Sequence, residues 1–145
     1  DINVYAYDDA ISATEQLTIG NGTVYTYSSA NDGIDVNGTL TIDGGTVTAI
    51  GGQAPEGGID VDVKGKFMIN GGTVVALGGM MEQQPDAAGK QKSVIVNNLK
   101  INKGDKLVAK DANGKEIIAI ASPRTFSESC ICISATGIAS VEKAE

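Results

Sequence analysis

Apolar and polar residues alternate along this chain in short runs, each ended by a Gly, Asn or Asp. Alternation of this kind marks half-buried β-strands, and the breakers mark turns. The runs also repeat. Residues 44–52 read GGTVTAIGG and residues 71–79 read GGTVVALGG, differing only at Thr48/Val75 and Ile50/Leu77. Aligned on its valine, the motif recurs as VYAYDDAIS from Val4, VYTYSSANDGID from Val24, VTAIGGQAPEGGID from Val47 and VVALGG from Val74, at spacings of 20, 23 and 27 residues. A second column reads LTIGNGTV from Leu17, LTIDGGTV from Leu40 and FMINGGTV from Phe67, and a third has DAIS at Asp9, DGID at Asp32 and GGID at Gly57. Three columns in fixed order around each period indicate a solenoid in which one repeat is one coil.

Coils built of three short strands predict an all-β fold, a short right-handed parallel β-helix. Stacked coils lie about 4.8 Å apart, so equivalent residues form ladders. The alignment predicts inward ladders of Ile11, Ile34 and Ile59, of Ile19, Ile42 and Ile69, and of Val4, Val24, Val47 and Val74. Gly20–Asn21, Gly44–Gly45 and Gly71–Gly72 fall at one recurring corner, where a positive φ favours glycine. Only the corner between the valine strand and the GID strand lengthens from coil to coil.

The repeat weakens towards the end of the chain. Val94 and Val96 align with Ile34 and Val36, and Ile101 with Ile42, as one degenerate copy. LVAKDANGKEIIAIA predicts a hairpin around DANG. With SCICISATGI it reads as a C-terminal antiparallel β-cap over strand edges that would otherwise stay unpaired. The organisation expected is one continuous domain, residues 1–96 as coils and residues 97–145 as degenerate coil and cap. The first coil lacks such a cap, and its edge is expected to meet either missing upstream coils or another chain.

Charge is unevenly spread. Residues 1–79 carry ten acids against Lys64 and Lys66, whereas residues 80–145 carry eight acids against eight Lys and Arg124. The acidic coils oppose nucleic-acid binding and suit cations. No apolar run approaches the length of a transmembrane helix, so membrane insertion is not expected. A chain that starts at Asp1 without Met reads as a mature form that has lost a targeting segment. Cys130 and Cys132, two apart on a strand, are poorly placed for a disulfide and read as buried free thiols.

Two constellations could carry function. With Ile34 and Ile59 inward, Asp35 and Asp60 project outward one coil apart, and Asp9 and Asp32 form a similar pair, with Asp62 in reach. Carboxylates so close need a cation, a raised pKa or a lysine, and Ca²⁺ takes six to eight oxygens of this kind. The alternative is a solvated acidic face. The tyrosines give the second constellation: Tyr5 with Tyr25 and Tyr7 with Tyr27 share columns. Facing outward, they form an amphipathic platform suited to sugar rings; a bend would instead turn Tyr7 and Tyr27 inward with Ile50 and Leu77. Catalytic signals are sparse. There is no His, hence no imidazole base or triad, and no GK[ST] follows the glycine-rich strings.

The string NDGIDVNGTLTIDGGTVTAIGG, followed by GGIDVDVKGKFMINGGTVVALGG, resembles a secreted bacterial carbohydrate-binding domain family, similar to small pectate-lyase-type β-helices. The resemblance spans about residues 1–122, and GDKLVAKDANGKEIIAIASPRTFSESCICISATGI is similar to the family's closing β-segment. It implies a secreted or cell-surface module that binds cellulose and acidic plant-wall sugars without strong lyase activity, with calcium on the helix. The expected function is therefore a polysaccharide-binding module, no enzyme, with Ca²⁺ at Asp9, Asp32, Asp35, Asp60 and Asp62, and sugar at Tyr5, Tyr7, Tyr25 and Tyr27. A polysaccharide lyase-like enzyme and an adhesive cell-surface solenoid are the alternatives.

Overall fold

Each alternating run between two corners becomes one strand. The computed structural model describes residues 1–144, and no helix occurs among the described residues. The first coil is β1 (Ile2–Ala6), β2 (Ile11–Ala13) and β3 (Gln16–Ile19). The second is β4 (Thr23–Ser28), β5 (Ile34–Val36) and β6 (Thr39–Ile42), and the third is β7 (Thr46–Ile50), β8 (Ile59–Val61) and β9 (Lys66–Ile69). β10 (Thr73–Gly78) opens a fourth turn. Equivalent strands pair in parallel, giving the sheets β2-β5-β8 and β3-β6-β9 and the parallel part of a third, β1-β4-β7-β10. The chain is a parallel β-helix of about three coils.

Its interior is the expected set of ladders. Ile34 pairs with Ile59, Ile42 with Ile69, and Val24 with Val47 and then Val74, all buried. At the recurring corner Gly22, Gly45 and Gly72 take φ values of 88°, 82° and 82°, a region where a Cβ is costly.

The first coil departs from the expected register. Val4 pairs with Thr26 and Ile2 takes the place opposite Val24. Ile11 and Leu17 pair with Ile34 and Leu40, each 23 positions on, so a β1 spaced by 20 would have to crowd the corner before β2. A slip of two residues preserves which face is buried.

The end of the chain holds a larger correction. Val94 and Val96 do not extend the GID column. They lie on β11 (Ser93–Asn97), which pairs antiparallel with β14 (Cys130–Ser134), itself antiparallel to β10. The third sheet thus runs β1-β4-β7-β10-β14-β11. Ile101 is no counterpart of Ile42 either; it bridges Phe126. β12 (Lys106–Asp111) and β13 (Glu116–Ala121) form the expected hairpin, joined by β15 (Ile138–Lys143) in a small antiparallel sheet.

That small sheet covers the outer face of the long one and makes a second core. Ile50, Val75 and Leu77, which point away from the coil interior, are buried there with Leu107, Phe126, Ile131 and Ile133. The columns holding the two differences between the GGTV repeats are therefore not a free surface but the floor of the cap. β14 serves both cores, with Cys132 facing the coil interior and Ile131 and Ile133 facing the cap. Both cysteines are free and buried, and burial pushes the Cys132 thiol up to about 12.

Arg124 fastens the cap to the helix corner. Its Nη1 donates to the carbonyls of Ser28, Ser29 and Gly51 at 3.1, 3.1 and 3.2 Å. Its guanidinium also lies 5.7 Å from the Tyr27 ring centre and 5.4 Å from that of Phe126, within cation–π range.

Candidate functional site

The GID corner brings carboxylates together because β5 and β8 stack in register. Asp35 lies opposite Asp60, and the corner before β5 adds Asp32. One carboxylate oxygen from each of Asp32, Asp35 and Asp60 lies within 4.8 Å of the others. Asp32 is buried and accepts the Gly57 N–H at 2.5 Å. Asp35 accepts from the Ser12 hydroxyl at 3.2 Å. The buried Oδ1 of Asp60 has no hydrogen-bond partner.

Burial is the largest cause of the electrostatic strain. It pushes Asp32 up to about 7, with Asp60, Glu56 and Asp9 adding repulsion and the Gly57 bond opposing it. It pushes Asp60 up to about 6, aided by Glu82, Asp35 and Glu56. Asp35 is raised as well, by burial and by Asp9 and Asp62 against the Ser12 bond. Three oxygen-only donors and an orphaned buried acceptor suit a hard divalent cation.

The other two aspartates sit differently. Asp9 turns its carboxylate to the Asp32 N–H at 3.2 Å, and Asp62 accepts the Lys64 N–H at 2.8 Å within its own turn. They border the trio and contribute field to it.

The tyrosines cluster on the outer face of the long sheet where the cap leaves it open. Tyr5 lies 5.6 Å from Tyr25 and 6.2 Å from Tyr27 between ring centres, with tilts of 43° and 35°. The expected Tyr7–Tyr27 pair does not form. The slipped register of β1 sets Tyr5 against Tyr27 and carries Tyr7 past the strand end, where it is 80% exposed. Tyr5 is 71% exposed, and Tyr25 and Tyr27 are half-buried. Neither Tyr7 nor Tyr27 turns into the coil.

Beside Tyr25 the sheet face meets the rim of the cap. Tyr25, Thr48 and Ile50 form the floor, and Ile120, Ala121 and Pro123 the wall, of a cleft of about 230 Å³. Two larger grooves, of about 420 and 500 Å³, lie near residues 84–95 and between residues 70–72 and 135–139. Neither has an aromatic side chain in its lining, so the smaller cleft is the better match to a ring-shaped ligand. Thr48 was legible as a member of the tyrosine column. Ile120 and Pro123 were not, because the cap docks by a contact that nothing in the repeat encodes.

A family model described as a beta helix repeat matches residues 40–60, the stretch from Leu40 on β6 to Asp60 on β8. No curated protein and no solved structure matches the chain.

Proposed function

We propose that this β-helix is an extracellular polysaccharide-binding module: sugar rings pack on Tyr5, Tyr25 and Tyr27, and a Ca²⁺ held by Asp32, Asp35 and Asp60 ties neighbouring coils together. The observation that carries the reading is the tyrosine cluster at the rim of the cap, Tyr5 exposed and Tyr25 and Tyr27 half-buried, on a sheet whose outer face the cap otherwise buries. Tilted tyrosines beside an apolar wall, with Tyr5 exposed, offer ring surface and phenol hydroxyls to a sugar. For the cation, the carboxylates supply charge and oxygen, and the remaining ligands would be carbonyls or water. The binding reading is favoured over a lyase because the one Arg of the chain donates to three carbonyls and fastens the cap.

Calorimetry against a panel of neutral and acidic wall polysaccharides, in calcium and in chelator, tests this. At least one polymer is expected to bind, and Tyr25→Ala is expected to weaken it about tenfold, equivalent to about 1.4 kcal/mol. Tyr7→Ala, outside the cluster, is expected to leave affinity unchanged. Equal losses for the two variants would reject the platform. Calcium binding without any polysaccharide binding would favour the adhesive solenoid.

A further inference from the structure

The two ends of the long sheet are unlike. β1 and β11 are its edge strands, and among the described residues neither has a partner on its outer side. An open, apolar edge is a template for pairing with another chain. β1 has that character: Ile2 and Tyr5 on the strand are 53% and 71% exposed, and Tyr7 just past its end is 80% exposed, three of the five exposed large apolar side chains among the described residues. The β11 edge carries Val94, Ile95 and Val96, all partly exposed, and Ile95 and Ser93 border the groove of about 420 Å³. Both strands are five residues long.

Charge distinguishes these edges more sharply. Residues 1–22 hold Asp1, Asp8, Asp9 and Glu15 and no Lys or Arg, whereas residues 87–104 hold Lys90, Lys92, Lys100 and Lys103 and no acid. None of these four lysines is ion-paired among the described residues. Asp1 precedes β1, and Asp8 and Asp9 follow it; Lys90 and Lys92 precede β11, and Lys100 follows it. Pairing like edges would set acid against acid or lysine against lysine, which is unfavourable. Pairing unlike edges sets Asp8 and Asp9 beside Lys100 at one strand end, and at the other sets the Asp1 carboxylate, partly offset by its own α-ammonium, beside Lys90 and Lys92.

Topology agrees. β14 runs against β10 and β11 runs against β14, so β11 points the same way as β10, β7, β4 and β1. A second copy stacked along the helix axis in the same orientation therefore presents its β1 parallel to β11 of the first. The cap ends the parallel coils without ending the sheet.

We infer that copies of this chain associate head to tail, β1 of one pairing in parallel with β11 of the next, steered by the Asp-flanked and Lys-flanked edges. The contact is heterologous, so it leaves a free edge at each end and grows into open filaments. It requires neither sugar nor cation.

Sedimentation velocity on the 145-residue chain, taken to millimolar concentration in chelator, tests this inference. The expected result is a mass that rises beyond the dimer with concentration and falls back as salt screens the edges. The variants Lys90→Glu/Lys92→Glu and Asp1→Lys/Asp8→Lys should each stay monomeric with unchanged circular dichroism. An equimolar mixture of the two should associate again in alternation, because each β1–β11 contact between the two variants then sets opposite charges together. A wild-type chain that stays monomeric throughout would overturn the inference. A closed dimer, or assembly indifferent to both charge reversals, would do so too.

Discussion

Gly58→Ala is expected to lower stability by about 3 kcal/mol, because the added methyl meets main chain on two sides and neither side can yield cheaply. A Cβ at Gly58 would lie 2.3 Å from the Leu77 nitrogen and 2.5 Å from the Ala49 oxygen. Gly33, one coil earlier, faces the same obstacle, 2.6 Å from the Gly58 oxygen and 2.9 Å from the Ile50 nitrogen. The glycine of the GID motif is thus required by close approach, where the corner passes against the strand of the neighbouring coil, and not by its own φ. Gly20 provides the control: nothing lies within 4 Å of its added Cβ, and Gly20→Ala should stay within about 0.5 kcal/mol. Urea unfolding of both variants measures the difference. Equal stability would show that coils do not pack this tightly at the corner.

In chelator, the folded chain should lose stability as pH rises from about 4 to about 7. An unfolded Asp gives up its proton near 3.8, whereas folded Asp32 holds it to about 7 and Asp60 to about 6. Between those values the native state binds protons that the unfolded state does not, so raising the pH favours unfolding. The contribution is fully present below the unfolded value and lost above the folded one. The three carboxylates titrate as a coupled set, so the slope belongs to the trio. Asp105, held low by the Asn102 N–H and by Lys143, acts in the opposite sense and only at more acidic pH.

Calcium should reverse the loss by replacing the protons, adding about 2.7 kcal/mol when its concentration is a hundredfold above the dissociation constant. Asp35→Asn/Asp60→Asn should remove the Asp60 part of the decline, leave the part that burial of Asp32 causes and abolish the calcium increment, while matching or exceeding wild-type stability in chelator at about pH 8. Thermal melts across pH, with and without calcium, report all of this. A wild-type profile in chelator that does not decline over this window would contradict the assignment. So would a calcium increment that survives in the double variant.

The stacked coils were legible in the repeat, and the β12–β13 hairpin in its DANG turn, whereas the way the cap joins the coils was not. Ile34 over Ile59 and the positive-φ Gly45 and Gly72 recur at fixed intervals because parallel coils demand the same residue at the same height. The Asp35–Asp60 pair followed from that ladder and the strand's alternation. The cap has no such periodicity. Its strands reverse direction, β14 enters the sheet between β10 and β11, and Val94 and Val96 consequently serve the second core. Ile50, Val75 and Leu77 point outward from the coils, yet the cap buries them; outward from a coil is not the same as exposed. The misplacement of Tyr7 came from aligning β1 on Val4, where the two neighbouring columns hold Ile2 to the site opposite Val24.

A crystal structure of the chain with an oligosaccharide from a polymer it binds decides whether the tyrosine-bearing sheet face is a sugar site. Density is expected for a sugar ring against Tyr5 and Tyr25, its edge towards Ile120 and Pro123. A sugar bound at full occupancy on another surface, with the tyrosines left in solvent, would contradict it.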